Sequence, residues 1–79
     1  MNIRLLYFAS LADRAGVATE TRQTSAATLR ALYAEVSEVH AFSMAVDRLR
    51  VAVNGAFVGW EHAPADNDEV VFLPPVSGG

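Results

Sequence analysis

The two most apolar strand patterns in the chain stand at its opposite ends, and this placement restricts the fold more than any other feature. In Asn2 to Phe8 (NIRLLYF), the two-residue period of a strand points Ile3, Leu5 and Tyr7 one way and Arg4, Leu6 and Phe8 the other. Apolar side chains therefore fall on both faces. Such a strand belongs inside a sheet, or leaves one face partly open for a partner. Glu69 to Leu73 (EVVFL) has the same character. The first and last strands are thus expected to pair with each other at the centre of one sheet, running parallel.

The residues between them supply the rest of that sheet and its cover. Ser10 is placed to cap a short helical turn, Leu11 to Ala15, that stops at Gly16. Val17 to Gln23 alternates Thr19, Thr21 and Gln23, a polar-faced strand returning antiparallel to the first. Thr24 or Ser25 then opens the main helix, in which Leu29, Leu32, Tyr33 and Val36 share one stripe while Arg30, Glu35 and Glu38 face water. In Val39 to Asp47, Phe42 and Val46 stand four apart and suggest a second short helical segment. Leu49 to Val53 alternates as a strand, Asn54-Gly55 is a hairpin turn, and Ala56 to Gly59 is the return. Asp66-Asn67-Asp68 makes a polar turn before the last strand, which Pro74-Pro75 ends because proline has no N–H for the ladder. The expected architecture is α+β: a mixed sheet of four or five strands crossed by one main helix, the β-grasp roll typified by ubiquitin. Residues 1–73 form the domain, and 74–79 a flexible tail.

With 79 residues and no cysteine, one domain must reach stability on a small core, without disulfides or thiolate-bound metal. The 52% hydrophobic content suits a globular fold, no apolar run approaches the roughly 18 residues that span a bilayer, and no signal peptide opens the chain. The sequence therefore reads as soluble and cytoplasmic, with no membrane role. All six basic residues are arginines within the first 50 positions, whereas Glu61, Asp66, Asp68 and Glu69 follow with no base among them. An acidic last third argues against a nucleic-acid partner and is compatible either with a basic protein partner or with simple solubility.

Catalysis by the chain's own side chains finds little support. No nucleophile elbow is present, and His40 and His62 lack a third ligand pattern, so no metal site is expected. The Asp66, Asp68, Glu69 group lacks the glycine and closing glutamate of a calcium loop and reads as a solvated turn. Gly55 and Gly59 make no phosphate-binding pattern, and Phe57 and Trp60 read as packing or partner contacts.

The tail has a direct physical use. Without Cβ atoms, Gly78-Gly79 fits a slot too narrow for any other side chain, and Pro74-Pro75 stiffens the exit from the last strand. The reactive group then left at the tip is the terminal carboxylate, a poor electrophile until a partner activates it. A frayed end is the plain alternative.

The closing run Asp66-Asn67-Asp68-Glu69-Val70-Val71-Phe72-Leu73-Pro74-Pro75-Val76-Ser77-Gly78-Gly79 resembles the C-terminus of the molybdopterin synthase small-subunit family, in which a D-x-D-E-V turn and strand lead into F-x-P-P-V-[ST]-G-G. Further likeness lies in the opening strand ending Tyr7-Phe8-Ala9, in Leu29-Arg30 and in Val53-Asn54. The resemblance implies a sulfur carrier for molybdenum-cofactor biosynthesis. An E1-like enzyme using ATP would adenylate Gly79, and a sulfur donor system would convert it to a thiocarboxylate. The large subunit, within a heterotetramer, would then receive the tail and pass the sulfur to cyclic pyranopterin monophosphate. This chain would bind no cofactor itself. Gly78 would give the tail access, with Pro74, Pro75, Val76 and Ser77 as partner contacts beside an apolar face of Phe8, Phe57 and Leu73. A carrier for thiamine, cysteine or another sulfur product remains open, as does a ubiquitin-like protein modifier.

Overall fold

In the computed structural model, which describes residues 1–75, the chain runs β1 (Asn2–Tyr7), α1 (Ala9–Ala15), β2 (Thr19–Gln23), α2 (Leu29–His40), a 3-10 turn (Val46–Arg48), β3 (Arg50–Val53), β4 (Ala56–Val58) and β5 (Glu69–Leu73). One mixed sheet results, in the order β2-β1-β5-β3-β4. The two apolar ends of the chain are its central parallel pair, with Arg4 opposite Glu69 and Tyr7 opposite Phe72. The polar strand β2 takes one edge, antiparallel to β1, and β4 takes the other through the Asn54-Gly55 hairpin. Both turn residues have positive φ, +51° and +88°, as a two-residue turn matching the sheet's twist requires.

Strand parity sets the two faces. Ile3, Leu5, Tyr7, Val51, Val70 and Phe72 point inward and are closed over by Leu29, Leu32, Tyr33 and Val36 of α2. Each such side chain contributes about 1.5–3 kcal/mol relative to an exposed one. Trp60 stacks on Phe72 with ring centroids 5.9 Å apart and tilts against Tyr33, so it belongs to the packing of the core rim. Phe42 stacks on Tyr33 and meets Tyr7 edge-on.

Several local expectations are corrected by where the polar side chains are committed. The helix α2 is capped by Thr28, whose Oγ1 accepts the Ala31 N–H at 3.1 Å. Thr24 is instead buried: its hydroxyl donates to the Glu35 carboxylate at 2.8 Å and accepts the Ala26 N–H. Glu35 is accordingly half-buried rather than turned to water, and it also receives Arg22 from the edge strand at 3.2 Å. The helix α1 begins at Ala9 with Phe8 as its N-cap residue and no side-chain cap, so Ser10 lies inside the first turn. The first strand therefore stops at Tyr7. The suggested second helical segment, Val39 to Asp47, is divided: Val39 and His40 are the last residues of α2, Ala41 (φ +58°) ends that helix in the left-handed conformation, and helical structure returns as the 3-10 turn Val46–Arg48. The return strand likewise ends at Val58, not Gly59.

Candidate functional site

The outer face of the sheet, turned away from α2, follows from the same parity. Register places Leu6, Val71, Ala52 and Phe57 in one row across the four strands β1, β5, β3 and β4. The next row toward the C-terminus pairs Leu73 with Arg50, and Phe8 follows Tyr7 at the end of β1. Phe8 and Phe57 are 48% and 63% exposed, and Leu6, Val71 and Leu73 are half-buried. A contiguous apolar patch left open on one face is the kind of surface that a partner covers, whereas singly exposed residues such as Val17 and Val39 need no such explanation. Phe8, Phe57 and Leu73 thus share the outer face with the strand that carries the chain out. Pro74 and Pro75 continue from it, and with Leu73, Phe57, Arg48 and Arg50 they flank a groove of ≈ 400 Å³.

Two features of this face were not singled out from sequence. Leu6 and Val71 extend the apolar patch inward, and their parity with Phe8 and Leu73 was the available signal. The other feature is Arg50, whose guanidinium carbon sits 5.7 Å from the Phe57 ring centroid, a cation–π distance. The alternation Arg48-Leu49-Arg50 brackets a buried leucine, so it could have marked Arg50 as outward-facing. Val76, Ser77, Gly78 and Gly79 lie outside the described residues.

At the opposite end of the sheet, the acids of the last third close a turn. Asp66 accepts the Asn2 N–H at 2.6 Å, and Asp68 accepts Asn54 Nδ2 at 2.9 Å and the Ala65 N–H at 2.8 Å. Asn54 Oδ1 in turn accepts the Glu69 N–H, which ties the hairpin to the start of β5. Glu69 pairs with Arg4 at 3.6 Å.

A second polar cluster lies at the inner edge. The Glu20 carboxylate accepts the Tyr7 hydroxyl and faces His40 Nε2. Burial raises the Tyr7 phenol well above its ordinary value, and the bond to the Glu20 carboxylate reinforces this. Burial also tends to raise Glu20, but the hydrogen bonds from Tyr7 and His40 and the charges of His40 and Arg22 outweigh it and hold the carboxyl below its usual value. His62 is exposed, and among the described residues no three His, Cys, Asp or Glu side chains converge as metal ligands. Among the described residues no helix is long and apolar enough to cross a membrane.

The model of the ThiS family matches residues 5–79. The chain is 36% identical over 80 residues to the molybdopterin synthase sulfur carrier subunit of Escherichia coli K12, spanning 98% of this chain and 99% of that one. Its fold superposes on SAMP1, a small archaeal modifier protein from Haloferax volcanii, with a TM-score of 0.85 at 28% identity and complete coverage of both chains. The same fold is found in a complex of subunits 1 and 2 of the molybdopterin-converting factor of Helicobacter pylori, with a TM-score of 0.70, 21% identity and 100% coverage of each chain.

Proposed function

Since the chain belongs to the ThiS family, we propose that it is the sulfur-carrier small subunit of a molybdopterin synthase. The observation that carries this reading is the closing segment. The central strand β5 ends at Leu73, Pro74 and Pro75 follow it on the rim of an open apolar face, and the sequence continues Val76-Ser77-Gly78-Gly79. The full-length relative in Escherichia coli bears the same functional name.

In this proposal the domain of residues 1–73 is a handle and residues 74–79 carry the chemistry. An E1-like enzyme joins the Gly79 carboxylate to the AMP portion of ATP, releasing pyrophosphate. A sulfur donor then displaces AMP and leaves a thiocarboxylate. That sulfur is the nucleophile, so no side chain of this protein need react. Gly78 and Gly79 pass through the narrow entrance of the large subunit's site, while Val76 and Ser77 line the way. Phe8, Phe57 and Leu73 seat the domain, and the tethered tail converts sulfur delivery into an intramolecular event. The chain binds no cofactor of its own, and ATP is held by the activating enzyme. The complex of the two converting-factor subunits from Helicobacter pylori supports a large-subunit partner.

The likeness to SAMP1 favours a second reading, a protein modifier joined by an amide bond from Gly79 to a target lysine. Intact mass separates the two. With activating enzyme, ATP and a sulfide source, sulfur carriage exchanges one oxygen for sulfur at the C-terminus, whereas modification yields lysine-linked conjugates. Deleting Gly79 abolishes pterin sulfuration while the domain stays folded. If sulfuration survives the deletion, the carrier reading is wrong.

A further inference from the structure

The apolar face carries a charged rim whose sign is opposite to that of the chain. The protein has a net charge of −3, yet the groove between Phe57, Leu73 and the two prolines is bordered by Arg48 and Arg50 and by a single acid, Asp47. The other arginines are engaged elsewhere: Arg4 with Glu69, Arg22 with Glu35, Arg30 with Glu61, and Arg14 with the Ala41 carbonyl. Among the described residues, neither Arg48 nor Arg50 forms an ion pair. Arg50 is also held in place, since its guanidinium lies over the Phe57 ring and keeps its N–H groups at the edge of the apolar patch. The acids of the last third cannot neutralise this rim. Asp66 and Asp68 are spent on the turn at the far end of the sheet, and Glu69 on Arg4.

We infer that this face docks a protein surface whose apolar patch is bordered by carboxylates, with Arg48 and Arg50 steering and orienting the approach. The inference rests on the carrier reading, because it takes the same face as the seat for the synthase large subunit or the activating enzyme. It adds the chemistry of the partner's rim. The acidic last third is compatible with a basic partner or with simple solubility, and at this face the positions of the charges suit an acidic partner instead. A nucleic acid is a poorer occupant, since phosphate backbones bind through larger clusters of cations than two arginines beside an aspartate. Opposite charges bordering an apolar contact act mainly on the association rate and lose strength as salt screens them.

The test is stopped-flow association of the full chain with the large subunit and with the activating enzyme from the same organism, between about 50 and about 300 mM NaCl. The association rate of the wild-type protein is expected to fall at least about fivefold over that range. At low salt, R48Q and R50Q together are expected to slow association severalfold and to remove most of the salt dependence. R48E and R50E together are expected to slow it about tenfold or more and to invert that dependence, so that added salt accelerates binding, and D47R to accelerate the low-salt rate. Circular dichroism melting of each variant separates loss of steering from loss of fold. If complexes form at rates indifferent to salt and to these substitutions, the basic rim is overturned and the carrier reading stands. If wild-type protein binds neither partner, both fall together. Arginine-dependent competition by single-stranded oligothymidylate would instead assign the rim to nucleic acid and overturn the inference.

Discussion

The Tyr7 hydroxyl donates to the Glu20 carboxylate across the β1–β2 pair, and the His40 ring reaches the same carboxylate oxygen from the last turn of α2. One acidic side chain thereby joins the central strand, the edge strand and the end of the main helix. Phe42 covers the junction, 5.5 Å from Tyr7 and 5.4 Å from His40 between ring centroids. The neighbouring Arg22–Glu35–Thr24 group repeats the arrangement one turn away, so polar pairs fasten β2 to α2 where the apolar core thins out.

The junction should show itself in the pH dependence of stability. Glu20 is held below its ordinary value of 4.5, so the unfolded chain takes up that proton more readily than the folded one. Its contribution is therefore complete above the ordinary glutamate value and is lost as pH falls through the depressed folded value. Urea unfolding at a series of acid pH values should show a shallower acid limb for Glu20→Gln than for wild type. Tyr7→Phe, which removes one of the bonds holding the carboxylate ionised, should cost about 1 kcal/mol at neutral pH and move the acid limb upward in pH. Parallel acid limbs for wild type and Glu20→Gln would show that Glu20 does not titrate in the way its partners imply.

Much of this molecule was legible because its apolar residues obey strand parity without exception in the central pair. Parity separated Ile3, Leu5 and Tyr7 from Leu6 and Phe8, but with apolar residues on both faces it left open which set would be covered, and the packing of α2 decides that. The strand β5 and the prolines after it marked where the chain leaves the sheet. The helix start was misread because Thr24, Ser25 and Thr28 are all competent caps. The tertiary bond of Thr24 to Glu35, with its local bond from the Ala26 N–H, removes it from the competition. Val39 to Asp47 was opaque for a related reason: Phe42 is held by contacts with Tyr7 and Tyr33 far along the chain, not by a local period. Arg50 escaped notice because its significance is positional, and depends on β3 lying between β5 and β4. The tail was read through its residue types and its family likeness, and Val76 to Gly79 carry no structural description.

The capping assignment gives a direct comparison. Thr28→Ala removes the side-chain acceptor of the Ala31 N–H and should destabilise the protein by about 1 kcal/mol. Ser25→Ala, at an exposed position before the helix, should change stability by less than about 0.5 kcal/mol. Denaturant midpoints at constant slope measure both. Equal losses would place the helix start where the sequence alone suggested.

Asn54 combines two roles that substitution can divide. Its backbone is left-handed at φ +51°, and its side chain bridges Asp68 and the Glu69 N–H. Asn54→Gly keeps the backbone conformation accessible and loses the bridge, whereas Asn54→Ala loses both. The expected costs are about 1 kcal/mol for glycine and roughly 1 kcal/mol more for alanine. Thermal melts that rank alanine at or above glycine would contradict a strained turn at this position.

The outer sheet face proposed for docking makes the sharpest separation between stability and function. Phe57 is 63% exposed and Val39, on α2 away from that face, is 60% exposed, so neither supports the core. Phe57→Ser should alter stability by no more than about 1 kcal/mol, the span of strand propensity. As a central apolar contact it should nevertheless weaken binding to the synthase large subunit by about 2 kcal/mol, roughly thirtyfold in Kd. Val39→Ser, which removes a comparably open apolar side chain from the other side of the molecule, should leave that Kd within about twofold, since surface changes away from a contact stay within about 0.5 kcal/mol. Calorimetric titration of both variants decides the point. Equal effects on binding would mean that the partner does not recognise the outer sheet face, and a loss confined to Val39→Ser would move the contact to the helix.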